Sequence, residues 1–439
     1  MGATREDLRG GGVSPAAVAR GDRSRTRGVV PPALPALLAA LAFALAGGAG
    51  AATIHVTTTE DELDATPNDA CSLREAVYTV NHLVAQGVGG CQVIGTIGED
   101  DEIVVPEGRY VLTRTSPGPF SVNDGAGNLQ LFRNVAIRGA GPGRTVIDGS
   151  GALVLGANGL APVHYGGVFE LVEDGTAAIE GVTVTGGRAR YGGGGIAVRG
   201  GATLSLTEVE VAGNRVEREG AGIYSFGWLY LRNVTVSDNS GEAAAGGPPS
   251  RGGGVFSKWL IDARNVTISG NVASRGGGLY VESTIAGSVL DSVTITDNAA
   301  LGDPGATGDT AGGVELRPVA TDLRIVNTIV AGNAGPDHPD CSGRLDSLGH
   351  NLIGVANACS GFGPDDMLGA ASSPLDPGLA PLDHYGGGTR THALLPGSPA
   401  VDSGPPANGT GCPAADQRGF PRPEDGDGDG ARRCDIGAY

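Results

Sequence analysis

The run Asp425-Gly426-Asp427-Gly428-Asp429-Gly430 places three carboxylates at alternate positions with glycines between them. This is the opening spacing of an EF-hand calcium loop, where every second residue offers an oxygen and glycine permits the turn. Asp425, Asp427 and Asp429 are therefore the candidate calcium ligands. The twelfth position, which needs a bidentate acid, is Ile436, with Asp435 one place off. A solvated acidic turn is the plainer reading, and nothing else in the chain requires a cofactor. Carbohydrate chemistry asks for other arrangements. Glycoside hydrolysis needs two carboxylates roughly 5–10 Å apart, and elimination from a uronate needs a base beside a cation. Asp148, in TVIDGSG (145–151), lies between Ile147 and Gly149, where Asp and Gly suit a corner. His55, His82, His164, His338, His350, His384 and His392 are scattered along the chain. Structural hydrogen bonding suits them better than catalysis.

Any such group must be held by the elements around it, and these repeat. GVTVTGG (181–187), EVEVAGN (208–214), NVTVSDN (233–239), NVTISGN (265–271), SVTITDN (292–298) and NTIVAGN (327–333) share one alternating pattern at steps of 25 to 35 residues. A period of this size with one short strand per copy predicts a stacked solenoid. Side chains alternate between the faces of a strand, so Val182/Val184, Val209/Val211, Val234/Val236, Val266/Ile268 and Val293/Ile295 point inward. Between copies, glycine clusters at 192–195, 220–222, 252–254, 276–278 and 312–313 mark corners where backbones approach closely. Parallel stacking at about 4.8 Å per layer brings Asn214, Asn239, Asn271, Asn298 and Asn333 into one column of bonded amides. Parallel crossovers set the hand. The expected fold is all-β, a right-handed parallel β-helix with a short N-terminal capping helix and a disulfide-bearing C-terminal cap region.

The outward column reads Thr183, Glu210, Thr235, Thr267, Thr294, Ile329 and holds a single acid, so no carboxylate pair recurs. Thr183/Thr185, Thr235/Ser237, Thr267/Ser269 and Thr294/Thr296 form a T-x-T or T-x-S face. Strand propensity accounts for it, and a flat exposed array would also order water or ice. Tyr224, Phe256 and Tyr280 occupy matching places after glycine corners, as either a packing column or a glycan-contact strip. In the last copy Thr328 and Ile329 reverse the usual polarity, which predicts that the C-terminal region folds back over Ile329.

The chain has 439 residues, a net charge of −18 and one lysine, Lys258, a balance that argues against nucleic acid as a partner. Residues 1–51 order six arginines, a short Ala-rich apolar stretch and Ala49-Gly50-Ala51, the layout of a secretory signal peptide. Export is expected, to the extracellular space or to the cell surface or outer membrane. The remainder divides into an N-terminal cap with the first layers (52–110), the repeats (111–335) and a C-terminal region (336–439). All six cysteines, Cys71, Cys91, Cys341, Cys359, Cys412 and Cys434, lie outside these strand copies. Of fifteen connectivities, three local pairs are expected, as staples at the ends. Ser72 with Glu75 forms a capping box opening a helix whose Leu73, Ala76, Val77 and Val80 share a face.

CSLREAV (71–77), preceded by Asn68-Asp69 and followed by Asp101-Glu102-Ile103 and Pro106-Glu107-Gly108, resembles the N-terminal motif of bacterial CSLREA-domain proteins. NTIVAGN (327–333), DCSG (340–343), SLGHNLIG (347–354), THALLPGSPAVDSG (391–404), DQRGFPRP (416–423) and CDIGAY (434–439) are similar to the choice-of-anchor Q domain. The middle resembles right-handed β-helix and polymorphic outer-membrane protein repeats. The resemblance implies secretion and surface display. Since no sorting tail follows Tyr439 in this chain, membrane association is expected only through an anchor not present here. The expected function is non-catalytic: a surface for adhesion, or for binding extracellular glycans or surface proteins. The competing expectation is a polysaccharide lyase or glycoside hydrolase of the pectate-lyase-like type.

Overall fold

The computed structural model describes residues 51–439 except 65, 67, 115–126, 152–166, 173, 244–245, 304–308, 321–322, 407–410 and 427. Residues 1–50 of the expected signal peptide (1–51) and the candidate ligand Asp427 thus lie outside the described residues. Among the described residues the chain is nearly all β, with one α-helix, α1 (Leu73–Asn81), and sheets of eighteen, nine and five strands whose neighbours are mostly parallel. The sequence repeat is the pairing step of the large sheet. Thr183 lies opposite Glu210, and the column continues through Thr235, Thr267, Thr294, Ile329 and Leu352. Register is fixed because a slip of one residue would turn every valine outward. Val184, Val211, Val236, Ile268 and Ile295 are fully buried and belong to one apolar core running from Ile54 to Ile353.

Both ends of each repeated strand turn through left-handed backbone. Asn233, Asn265 and Asn327 open their copies at φ of 55°, 54° and 50°, and Asp238 and Asp297 stand near the other end at 56° and 57°. Asn, Asp and Gly tolerate this region best, so corner geometry explains these residues. The N-x-T triplets at Asn233 and Asn265 are corner residues in the same way. Beside the second corner runs the asparagine column. Asn214, Asn239, Asn271 and Asn298 each donate Nδ2 to the Oδ1 of the next asparagine at 2.9–3.0 Å, and Asn333 passes the chain to Asp340 at 3.0 Å. The ladder therefore ends on a carboxylate, whose pKa burial pushes up against the bonds it accepts.

At the N-terminal end α1 starts as expected: Ser72 accepts from the Glu75 amide while Glu75 accepts from the Ser72 amide. Arg74 is buried beneath it, paired with Asp61 at 2.6 Å and donating to the carbonyls of Gly127 and Asn128. One guanidinium so ties the helix to chain more than fifty residues away. Disulfides join Cys71–Cys91, Cys341–Cys359 and Cys412–Cys434, the three local pairs. No helix among the described residues is long and apolar enough to cross a membrane.

The C-terminal region packs onto the large sheet. Ile329 is fully buried in a small core with Ala331, Leu352, Ala400 and Ile436, as its reversed polarity predicted. Gly437 sits at φ 101°, where a Cβ would come within 2.8 Å of Ile329. The T-x-T face is covered by the same region, which corrects the water- or ice-ordering reading. Thr235 donates to the Arg390 carbonyl at 2.5 Å, Thr267 to Gln417 Oε1 at 2.8 Å, and Thr294 accepts from the Ala438 amide at 3.0 Å. Thr235, Ser237 and Thr267 have no exposed surface, and Thr183 and Thr185, beyond the covered stretch, remain partly exposed.

His392 is part of this seal. Its Nδ1 lies 2.8 Å from the Ala380 carbonyl, which only accepts, so Nδ1 carries the proton and Nε2 accepts from the Ser269 hydroxyl at 2.8 Å. Burial lowers its pKa below the ordinary 6.5, with Arg390 adding and with the Ala380 carbonyl and Asp297 opposing. The unfolded state then takes up a proton first as pH falls. Stability is therefore present above the ordinary value and is lost as pH drops from 6.5 towards the folded value. Melting temperature is expected to fall as pH drops below the ordinary value of 6.5, more steeply in the natural chain than in His392→Gln. Equal slopes would remove His392 from the account.

Candidate functional site

Eight strands of the nine-stranded sheet each turn one central side chain outward. In register these are Gln130, Glu170, Ala197, Tyr224, Phe256, Tyr280, Glu315 and Ser342. The three rings stack along the column, Tyr224 on Phe256 at 5.3 Å and 15°, and Phe256 on Tyr280 at 5.5 Å and 8°. Arg199 lies over Tyr224 and Arg251 over Tyr280. Ring faces are thus occupied by one another and by guanidinium groups, and Phe256 is fully buried. A sugar stacks on a ring face, so the column is packing rather than a glycan-stacking strip.

Charged columns flank the rings. On one side Glu219, Arg251 and Arg275 follow in bridge register just before their glycine corners. On the other, Arg199, Phe226, Lys258, Glu282 and Arg317 succeed one another two positions beyond the central column. Acids and cations pair between copies: Glu170 with Arg199 at 2.8 Å, Glu219 with Arg251 at 3.1 Å, and Glu282 with both Lys258 and Arg317 at 4.0 Å. Glu315 is sealed. Its oxygens accept from Arg275 Nε at 2.7 Å, the Gly276 amide at 3.0 Å and the Ala311 amide at 3.3 Å, and burial pushes its pKa up against these donors. Burial also raises Glu219, opposed by Arg251 and reinforced by Glu282.

Where the rings end, the face opens into a cleft of about 640 Å³ lined by Arg251, Arg275, Tyr280, Arg317, Ser342 and Arg344, with Asp309 and Glu315 among its acids. Its far wall is made by the paired strands Cys341–Arg344 and Cys359–Ser360, stapled by the Cys341–Cys359 disulfide. The sequence carried a signal for part of this cleft. Ser250-Arg251-Gly252 and Ser274-Arg275-Gly276 repeat the residue before the glycine corner, the position that lines the face.

The acids singled out by sequence lie elsewhere. Asp425 and Asp429 are exposed; Asp425 accepts from the Gly428 and Gly430 amides at 2.8 and 3.0 Å, and Asp429 from Ala431 at 2.7 Å. Among the described residues no group of three or more His, Cys, Asp or Glu is placed to hold a metal. Asp148 is a corner residue paired with Arg109 at 2.5 Å, and Glu210 accepts from the Arg390 amide at 2.8 Å beneath the C-terminal region. No protein-family model matches the chain, and no curated protein matches it.

Proposed function

We propose that this chain is a secreted or cell-surface right-handed parallel β-helix that binds extracellular glycans or surface proteins without transforming them. The in-register parallel columns support the solenoid, and the usual hand of parallel crossovers supports its sense. Three disulfides fit an oxidising compartment, and the CSLREA and choice-of-anchor Q resemblances favour surface display. One observation carries the binding role. From Thr235 to Thr296 the large sheet's T-x-T face is covered by the chain's own C-terminal region, while the nine-stranded sheet offers an open face of paired charges leading to a cleft. Glu170, Glu219, Glu282 and Glu315 on that face each pair with an Arg or Lys, which favours recognition over acid–base catalysis.

A lyase on the same scaffold would draw on the arginines and on Tyr280 as base. Burial raises the Tyr280 hydroxyl above its ordinary 10.0, the wrong direction for proton abstraction near neutrality. Binding of the disulfide-bonded protein to an array of microbial and host glycans and surface proteins tests the proposal. Selective retention of one class is expected, and an array without any selective signal would overturn it. Calcium at Asp425, Asp427 and Asp429 is proposed as an accessory ion that closes their loop. The melting temperature then rises with added calcium and falls with chelator; a melt indifferent to both removes the ion.

A further inference from the structure

The cleft differs in charge from the chain that holds it. The protein carries −18 overall, yet four guanidinium groups converge where the nine-stranded sheet ends. Of the two acids lining the cleft, Glu315 is 2% exposed with its oxygens committed to Arg275 and two backbone amides, and Asp309 is 82% exposed at the rim. Arg317 and Arg344 are 48% and 61% exposed. Arg317 lies 4.0 Å from its nearest acid, too far for a hydrogen bond. Arg344 meets Asp346 through Nε, and Arg275 meets Glu315 through Nε and Nη2, so further N–H groups remain on both.

We propose that this cleft binds an acidic polysaccharide, with Arg251, Arg275, Arg317 and Arg344 receiving carboxylate or sulfate groups of successive sugar residues. The inference rests on the binding role proposed above and names its ligand class. Arginine is the suited cation, because its planar fork meets a carboxylate or sulfate through two parallel hydrogen bonds. Spacing selects the polymer. The four arginines form two flanking pairs: Arg251 and Arg275 stand in bridge register ahead of the strands Val255–Ser257 and Leu279–Val281, and Arg317 and Arg344 lie at the far ends of the paired strands Val314–Leu316 and Cys341–Arg344, so one strand step separates the members of each pair. Neighbouring strands lie about 4.8 Å apart, close to the advance of one pyranose unit along a glycan. An extended acidic peptide places same-side carboxylates about 6.7 Å apart and falls out of step within two residues. The volume accommodates a short stretch of glycan, since ligand pockets run from about 300 to 1,000 Å³.

The experiment is calorimetric titration of the full disulfide-bonded chain with oligogalacturonate, a sulfated oligosaccharide, methyl-esterified oligogalacturonate and oligoglutamate. Salt is set near 0.15 M, where the Debye length of about 8 Å confines the field to the cleft. Oligogalacturonate or the sulfated sugar is expected to bind, the ester and the peptide not. Arg317→Gln with Arg344→Gln, both surface changes, should weaken binding at least about tenfold through lost charge-assisted bonds at an unchanged melting temperature. Arg215→Gln, in the exposed pair with Glu242 on the five-stranded sheet, should bind like the natural chain. Undiminished binding by the double variant would overturn the cleft while leaving the binding role standing. Tighter binding of oligoglutamate would overturn the ligand class. If no acidic sugar binds, the cleft proposal falls, and array retention of another ligand would keep the wider role.

Discussion

Asn271→Ala is expected to lower the unfolding free energy by roughly 3–5 kcal/mol, because it leaves at least two buried donors without acceptors. Asn271 Oδ1 accepts from both the backbone amide and the Nδ2 of Asn239, at 3.1 and 2.9 Å. Its own Nδ2 donates to Asn298 Oδ1 at 2.9 Å and to the Val236 carbonyl at 2.9 Å. Water cannot replace these partners at a fully buried site without opening the layer. Asn214, at the near end of the ladder, provides the contrast, since its Oδ1 accepts only from the Gly187 amide. Asn214→Ala should therefore cost less than half as much. Urea denaturation of both variants checks the difference, and equal losses would show that the amides are not coupled along the column.

Gln417→Ala should open the C-terminal region while the repeats stay folded. The Gln417 side chain is buried, donating to Thr235 Oγ1 at 3.0 Å and Thr389 Oγ1 at 2.9 Å, and accepting from Thr267 Oγ1 at 2.8 Å. Truncation removes its contact with two copies of the repeat at once and costs roughly 2–4 kcal/mol. That loss falls on one docked segment, so it appears as local opening rather than global melting. Limited proteolysis should cut within 376–439 in the variant and leave the strands of 181–333 intact. Unchanged resistance would mean that the apolar contacts around Ile329 hold the region without the polar seal.

The repeats were legible because the alternation of valine with threonine states which side chains enter the core, and that rule is local. Register, the asparagine column, the capping box and the local disulfides follow from the same short spacings. What an outward residue faces is a different matter. Thr267 meets Gln417 across 150 residues of sequence, and the covering segment has no period of its own. The T-x-T face therefore looked exposed. Ile329 was readable only because its polarity was wrong for an open face. The aromatic column was visible, but not the arginines that occupy its remaining faces, since these come from neighbouring copies. Asp340 was hidden for a simpler reason: it ends an asparagine ladder with an acid from the DCSG segment, outside the repeat.

The central claim is that this scaffold binds an extracellular ligand and leaves it intact. Incubation with a panel of acidic polysaccharides, followed by measurement of unsaturated ends and reducing sugars, tests it most directly. The account predicts ligand retained on the protein and recovered at its original length. New unsaturated ends or reducing sugars that depend on Arg251, Arg275 or Tyr280 would contradict it and make the cleft an active site.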